Sequence, residues 1–464
     1  MRHNPCRLRV AALALCLLAT GATVCAQPLD LLQAWQQAQR SDAAWLAAQA
    51  ATRAGLEALP IARAALRPQV QLSLQRAHNG VDYADNPPQL RYFGGVQSLS
   101  VRQALYRPTL SARVDQARAE QRDVQAREAA ESAALLTRLG EAYFDLLLNH
   151  DQIELLQAQI ASARQQLQAA GQARAGGSGT RTDEDEARAR LDLLLAQALE
   201  ARQATRSARQ RLETLLQRPV DTLMGLPPAQ LEQAPAEAAA QPGLFADPSL
   251  PQWLDRAERG NPELQALQAQ RDATAHEVRA AKASHLPSLD LLLQWQRSDR
   301  DGAANPTARY HQAQASVEFN LPLYNGGGVQ AAVRQALAAQ EQAEHALEAA
   351  RRDLQHRVTL QWRAMVEGQA HAQAYLQAVR SASQLVRATQ ASFSAGVRSN
   401  LDVLDAQAQL ATARNSYTRA RLQALLAQLQ LLALTGERAD AALQPLLAAL
   451  STPITMNDPA AMQP

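Results

Sequence analysis

The strongest constraint on this chain is that it is written twice. "ARAGGSGTRTDEDEARARL" (173–191) and "SFSAGVRSNLDVLDAQAQL" (392–410) share one layout at an offset of 219 positions, 396 minus 177. Gly177 answers Gly396, Thr180 answers Ser399, Asp183 answers Asp402 and Glu186 answers Asp405. The same offset aligns Ala38 with Ala257, Arg40 with Arg259, Asp42 with Asn261, Pro68 with Pro287, Leu72 with Leu291, Gln75 with Gln294 and Leu212 with Leu431. A register held that far is a tandem duplication, so each half must build the same supersecondary unit.

Within each half the punctuation repeats. A helical segment over about 29–65, and again over 249–285, closes at Pro68 or Pro287, whose predecessor is pushed out of helical geometry. Two strands follow in each half, over 68–77 and 96–106, then over 287–297 and 313–324. "PQVQLSLQ" and "PSLDLLLQW" place apolar residues at spacing two, and loops rich in Gly, Pro, Asn and Asp separate them from "VQSLSVRQALY" and "QASVEFNLPLY", the signature of a hairpin. Next comes a very long helix, from Thr109 to about 172 and from Val329 to about 393, without a proline. At 1.5 Å per residue each measures roughly 95 Å. Gly177 or Gly396 ends it as a left-handed cap, and Thr180 or Ser399 starts a returning helix with an acid three residues on. The expected organisation is a first repeat over 27–218 (β-hairpin 68–106, helical hairpin 109–216), a Pro-rich linker over 219–251, a second repeat over 252–436 (β-hairpin 287–324, helical hairpin 326–434) and a tail over 437–464 with few strong signals.

The N-terminus predicts export. Arg2, Arg7 and Arg9 precede an apolar run, and Val24-Cys25-Ala26 offers a small-residue cleavage pattern, so 1–26 reads as a secretory signal peptide. Cys6, Cys16 and Cys25 all lie inside it, which leaves no cysteine for disulfides, thiol catalysis or metal binding in the processed chain. Removing three of the 46 basic residues leaves 43 against 44 acidic ones, so no basic excess points to nucleic acid. Aromatics are only 4% of the chain, which suits long helices with small-residue seams better than a large globular core. None of the later apolar stretches is long and uncharged enough for a membrane helix.

The hairpins then need a place to bury an apolar face. In an exported protein a membrane β-barrel supplies one. Of the chain's 18 aromatics (5 Trp, 8 Tyr, 5 Phe), Tyr83, Tyr92, Phe93, Tyr106, Trp295, Tyr310, Phe319 and Tyr324 fall in the two hairpin regions, which favours an interfacial girdle over a small sheet capping a helical bundle. Four strands cannot close a barrel, and open edges are not viable in hydrocarbon. Two chains would give a barrel filled by its own side chains, whereas three leave a lumen. A conduit therefore predicts a trimer: a mainly α protein with a twelve-stranded β-barrel part continued by a long α-helical barrel.

At this point the chain resembles the TolC-like outer-membrane export channels. "SVRQALYRPTLSARVDQARAE" and "VEFNLPLYNGGGVQAAVRQA" resemble that family's strand-to-helix junctions, "AYFDLLLNHDQIEL" a segment of its first long helix and "FSAGVRSNLDVLDAQAQL" its periplasmic tip. The resemblance covers nearly all of the processed chain. It implies an outer-membrane homotrimer reaching into the periplasm of a Gram-negative bacterium, conducting substrates from a periplasmic adaptor and an inner-membrane ABC or proton-driven transporter, in type I protein secretion or multidrug efflux. No cofactor, metal or catalytic group is implied. The resemblance assigns Asp402 and Asp405 to acidic rings at the entrance, with Asp183 and Glu186 adding to the negative mouth. It also implies a closed gate in which the first-half tip aspartate bonds a tyrosine and an arginine of the second-half tip. Asp183 and Arg398 match two of those positions, but Phe393 stands at the third without a hydroxyl, which throws weight onto an Asp183–Arg398 pair. The local alternative is that these acids only start helices.

Two further readings compete. "TDEDE" has no companion base or nucleophile, the histidines show no metal-ligand spacing and "YNGGG" lacks the Lys-Ser/Thr of a phosphate loop, so an enzyme is not indicated. A soluble periplasmic coiled-coil adaptor would share the long helices but needs no duplicated β-hairpins.

Overall fold

The computed structural model describes residues 28–81, 90–227, 249–299 and 309–456. The expected signal peptide, Tyr83 and most of the linker lie outside them. Among the described residues the first repeat runs α1 (Leu31–Ser41), α2 (Ala43–Leu56), α3 (Ala58–Ala64), β1 (Gln69–Val81), β2 (Leu90–Tyr106), α4 (Pro108–Ala175) and α5 (Arg181–Leu216). A short β3 (Thr222–Gly225) precedes the second repeat: α6 (Leu250–Gly260), α7 (Pro262–Ala283), β4 (Ser288–Ser298), β5 (Tyr310–Asn320), α8 (Gly328–Ser394) and α9 (Asn400–Leu434). The chain closes with α10 (Ala439–Ala449) and β6 (Thr452–Thr455).

Several boundaries differ from expectation for local reasons. The opening helix of each repeat is broken, not continuous. Asp42 stands in extended conformation and its carboxylate accepts from Trp45 N, starting α2; Asn261 does the same for Leu264 N at the head of α7. The strands of the first hairpin extend beyond 77 and begin before 96, whereas β5 stops at Asn320, ahead of the 324 expected. Pro322 follows, and proline cannot donate to a ladder. Pro108 opens α4 at its first position, where a missing N–H costs nothing.

The four main strands form one antiparallel sheet in the order β1-β2-β4-β5. Its register puts Leu72 opposite Leu99, Leu99 opposite Trp295, and Val101 opposite Leu293. With Val70, Leu74, Val317 and Phe319 these make an apolar face, and that face is open: Val70 is 66% exposed, Leu72 63% and Phe319 64%. The other face carries Gln71, Ser73, Ser98, Ser100, Arg102, Gln294, Gln296, Gln314 and Glu318. At its helical end Asp290, almost wholly buried, pairs with Arg107 and with Arg102 (3.5 Å), while Arg102 also reaches Glu318 (3.3 Å). A soluble sheet would bury the first face and solvate the second. Here the apolar face is left open, and Gln71, Ser73, Gln314 and Glu318 of the polar face are exposed as well.

The main core is a belt halfway along the long helices. Leu135, Leu139, Tyr143, Phe144 and Leu147 of α4 pack with Leu212 and Leu216 of α5, Leu422, Leu425 and Leu429 of α9, Trp35, Trp253, and Leu443 and Leu446 of α10. The linker and the tail, which showed few signals, meet here: β3 pairs antiparallel with β6, and Leu29 bonds Thr222 O and Met224 N beside them. The Tyr143 hydroxyl lies 2.6 Å from Met224 O, and burial pushes its pKa upward. Away from the belt the helices meet through smaller clusters such as Leu156, Ile160, Ala198 and Ala201. No helix among the described residues is long and apolar enough to cross a membrane.

Candidate functional site at the two helix tips

Both tips are built by the same local chemistry. Gly177 (φ 77°) and Gly396 (φ 73°) take the left-handed conformation that glycine adopts without penalty. The next N–H turns back to the helix: Ser178 N donates to Ala173 O (2.9 Å) and Val397 N to Ser392 O (2.9 Å). Gly177 N and Gly396 N donate to Arg174 O and Phe393 O, which completes a Schellman closure in each repeat. A reciprocal capping box then starts each returning helix. Asp183 N donates to Thr180 Oγ1 while Thr180 N donates to Asp183; Asp402 N donates to Ser399 Oγ while Ser399 N donates to Asp402.

The acids at the tips thus divide by role. The backbone bond from Thr180 holds the Asp183 carboxyl below the usual carboxylate range, and the Ser399 hydroxyl does the same for Asp402. Both remain exposed and ionised. Asp402 also accepts from Arg398 Nη1 at 3.3 Å, one turn back on its own tip. Asp405 points elsewhere: Gln166 of α4 donates to it at 3.3 Å and Arg190 of α5 stands 3.9 Å away. Beneath it Val403, Leu404 and Ala406 are buried, which seats the start of α9 against its neighbours. Glu186 and Phe393 are exposed.

Within one protomer Asp183 and Arg398 are not paired: Asp183 is engaged in its capping box and Arg398 with Asp402. Sequence reasoning also missed Gln166, Arg190 and Glu184. The last of these joins Arg174 (2.5 Å) to Arg188 (3.1 Å) across the first tip. Gln166 and Arg190 carry no local mark, since their partner lies on another helix, whereas the Glu184–Arg188 spacing of four within α5 is a local one. Among the described residues there is no group of three or more His, Cys, Asp or Glu placed to hold a metal ion.

The chain is an antiparallel sheet with an exposed apolar face carried on two long helical hairpins. The chain belongs to the outer membrane efflux protein family, whose model matches it twice, over residues 34–217 and 253–437. The alkaline protease secretion protein AprF of Pseudomonas aeruginosa is 32% identical over 398 residues, spanning 84% of this chain and 81% of that protein. The proteases secretion protein PrtF of Dickeya chrysanthemi is 30% identical, covering 85% of each. The outer membrane protein TolC of Vibrio cholerae is 27% identical over 84% of this chain and 87% of its own. Among solved structures, the Vibrio cholerae outer membrane protein VceC superposes with a TM-score of 0.70 at 18% identity, covering 88% of this chain and 96% of that one. The Campylobacter jejuni CmeC channel gives 0.72 at 13%, over 91% and 90%. The protein is thus an outer-membrane channel for export, and the adaptor reading is set aside.

Proposed function

We propose that three copies close their sheets into one twelve-stranded barrel and their helices into a tube reaching into the periplasm, entered at the tips. The observation that carries this is the sheet itself: β1 and β5 have unpaired outer edges among the described residues, and the apolar face is exposed. Hydrocarbon tolerates neither open edges nor unsatisfied backbone, so the edges must pair with other copies. Leu293→Asp, on the apolar face, should cost on the order of 1–2 kcal/mol per protomer in the membrane and lower the yield of outer-membrane trimer, while Gln294→Asp on the opposite face should insert normally. Equal insertion of the two variants would place the apolar face somewhere other than lipid.

The kinship to AprF and PrtF, named for protease secretion, supports polypeptide export beside an inner-membrane ABC transporter and a periplasmic adaptor, in preference to drug efflux. At the entrance, threefold symmetry turns Asp402 and Asp405 into stacked acidic rings, with Asp183 and Glu186 around them. Such rings select cations and trap polyvalent ones. The purified trimer in a planar bilayer should be cation-selective and blocked from the tip side by a trivalent cation. Block should weaken about tenfold in Asp402→Ala/Asp405→Ala. Undiminished block in that double variant reduces both aspartates to helix starts. The Asp183–Arg398 contact, unmade within one protomer, is proposed as a contact between copies; Arg398→Ser should then raise single-channel conductance.

A further inference from the structure

Beside the central belt, α4, α5 and α9 enclose a cavity of about 680 Å³ whose far wall is β6 and Met456. Its charge is lopsided. Arg202, Arg206 and Arg209 enter from α5, with Arg414 and Arg421 from α9. Arg209 is neutralised by Glu213 and Asp221, each at 2.9 Å. Arg202, Arg206 and Arg421, by contrast, have no carboxylate within 4.0 Å among the described residues. Arg421 is held instead over the ring of buried Tyr417, 5.5 Å from its centroid.

Two acids on α4, Asp151 and Glu154, face this cavity and offset only part of the charge of its five arginines. Glu154 is engaged by His150 at 3.5 Å. Asp151 is pushed up to about 6 by burial and then by Glu154, and its Oδ2 is buried without a hydrogen-bond partner. Arg202 and Arg421 are half-buried and Arg206 is exposed; like charges lining one cavity repel one another, and the repulsion is relieved when an anion bridges them. The planar fork of arginine fits phosphate bidentately, and a phosphate monoester carries about −1.5 to −2 charge near neutrality, enough to meet several forks at once. Leu146, Leu226 and Ile454 add an apolar strip to the wall.

We propose that this cavity binds a phosphate-bearing small ligand, held by Arg202 and Arg206 of α5 and Arg421 of α9. The ligand would tie the returning helices of the two repeats together where linker and tail already converge. It does not depend on the tip rings or on conductance. The test uses the full-length protein in detergent with two probes, inorganic pyrophosphate and a water-soluble short-chain phosphatidic acid, against sodium chloride at matched ionic strength. Calorimetric titration should show saturable binding of at least one probe, together with a rise in the unfolding midpoint that chloride does not reproduce. Binding of both probes identifies the phosphate group alone as the recognised feature; binding of the lipid probe alone identifies a lipid headgroup with its chain on the apolar strip. Affinity should fall at least tenfold in Arg202→Gln/Arg206→Gln. Arg421→Lys, which keeps the charge and loses the fork, should also weaken binding and covers the case in which the double variant does not fold. No saturable binding by either probe, or undiminished binding in a folded variant, overturns the site.

Discussion

Asp151→Asn should stabilise the protein at pH 8 by on the order of 2–3 kcal/mol per protomer, and the gain should vanish on acidification. The Asp151 carboxyl lies in the wall of the arginine-lined cavity with one oxygen buried and unpartnered, and burial pushes it up to about 6. In an unstructured chain the same group titrates near ~3.9. Because the folded value is the higher of the two, the folded state binds its proton more tightly. The charged carboxylate is then a cost above pH 6 that is progressively relieved as the pH falls from 6 towards 4. Asparagine keeps the volume and removes the charge. Thermal unfolding of the detergent-solubilised protein at pH 8 and at pH 5 measures the effect. A wide gap between variant and parent at pH 8 that narrows at pH 5 is the expected result, whereas an equal gap at both would assign the change to packing alone.

What could be read from the sequence divides along the same line, between local and non-local causes. The tips were legible almost residue by residue. Gly177, Thr180 and Asp183, and their counterparts Gly396, Ser399 and Asp402, are positions where the backbone itself demands a left-handed residue and then a capping oxygen. The sheet was legible because period two survives in "VQLSL" and "LDLLLQW" whichever face is buried. The breaks were marked more faintly: Gly260-Asn261-Pro262 is a helix stop followed by a start, and Ser41-Asp42 offers a capping side chain, but both lie between segments of helical character and read through as one helix. The β3–β6 ribbon was invisible because its two short strands lie more than two hundred residues apart (455 minus 222) and neither has alternation long enough to register. The cavity belongs to the same class. Arginines at 202, 206 and 421 look like solvated surface until α5 and α9 are brought together.

The duplication itself makes a prediction sharper than either repeat alone. Asn261 Nδ2 donates to Leu434 O (3.0 Å), docking the start of α7 on the end of α9, and at that point the backbones of Gly260 and Gly436 all but touch. A Cβ on Gly260 would stand 2.1 Å from Thr435 O, and one on Gly436, at φ 70°, 2.1 Å from Gly260 O. At the matching places of the first repeat, 219 positions earlier, the pair is Ser41 and Gln217. There the Ser41 hydroxyl donates to Leu215 O (2.8 Å), so the same junction is made through a side chain. Gln217 pays no such contact toll but still takes φ 51°, the only positive φ outside glycine among the described residues. Left-handed backbone costs a residue with a Cβ about 1–2 kcal/mol. Gln217→Gly should therefore be neutral or stabilising, up to about 1 kcal/mol, the loss of its Nε2 bond to Thr214 O being small at an exposed site. Gly436→Gln, the reverse exchange at the equivalent position, adds backbone strain to a collision with a carbonyl that cannot move without unseating α7. It should cost more than about 4 kcal/mol and deplete the folded protein. Denaturant unfolding of the two variants beside the parent measures both signs. A Gly436→Gln protein as stable as Gln217→Gly would mean that the close approach of Gly260 and Gly436 does not set the second junction apart from the first.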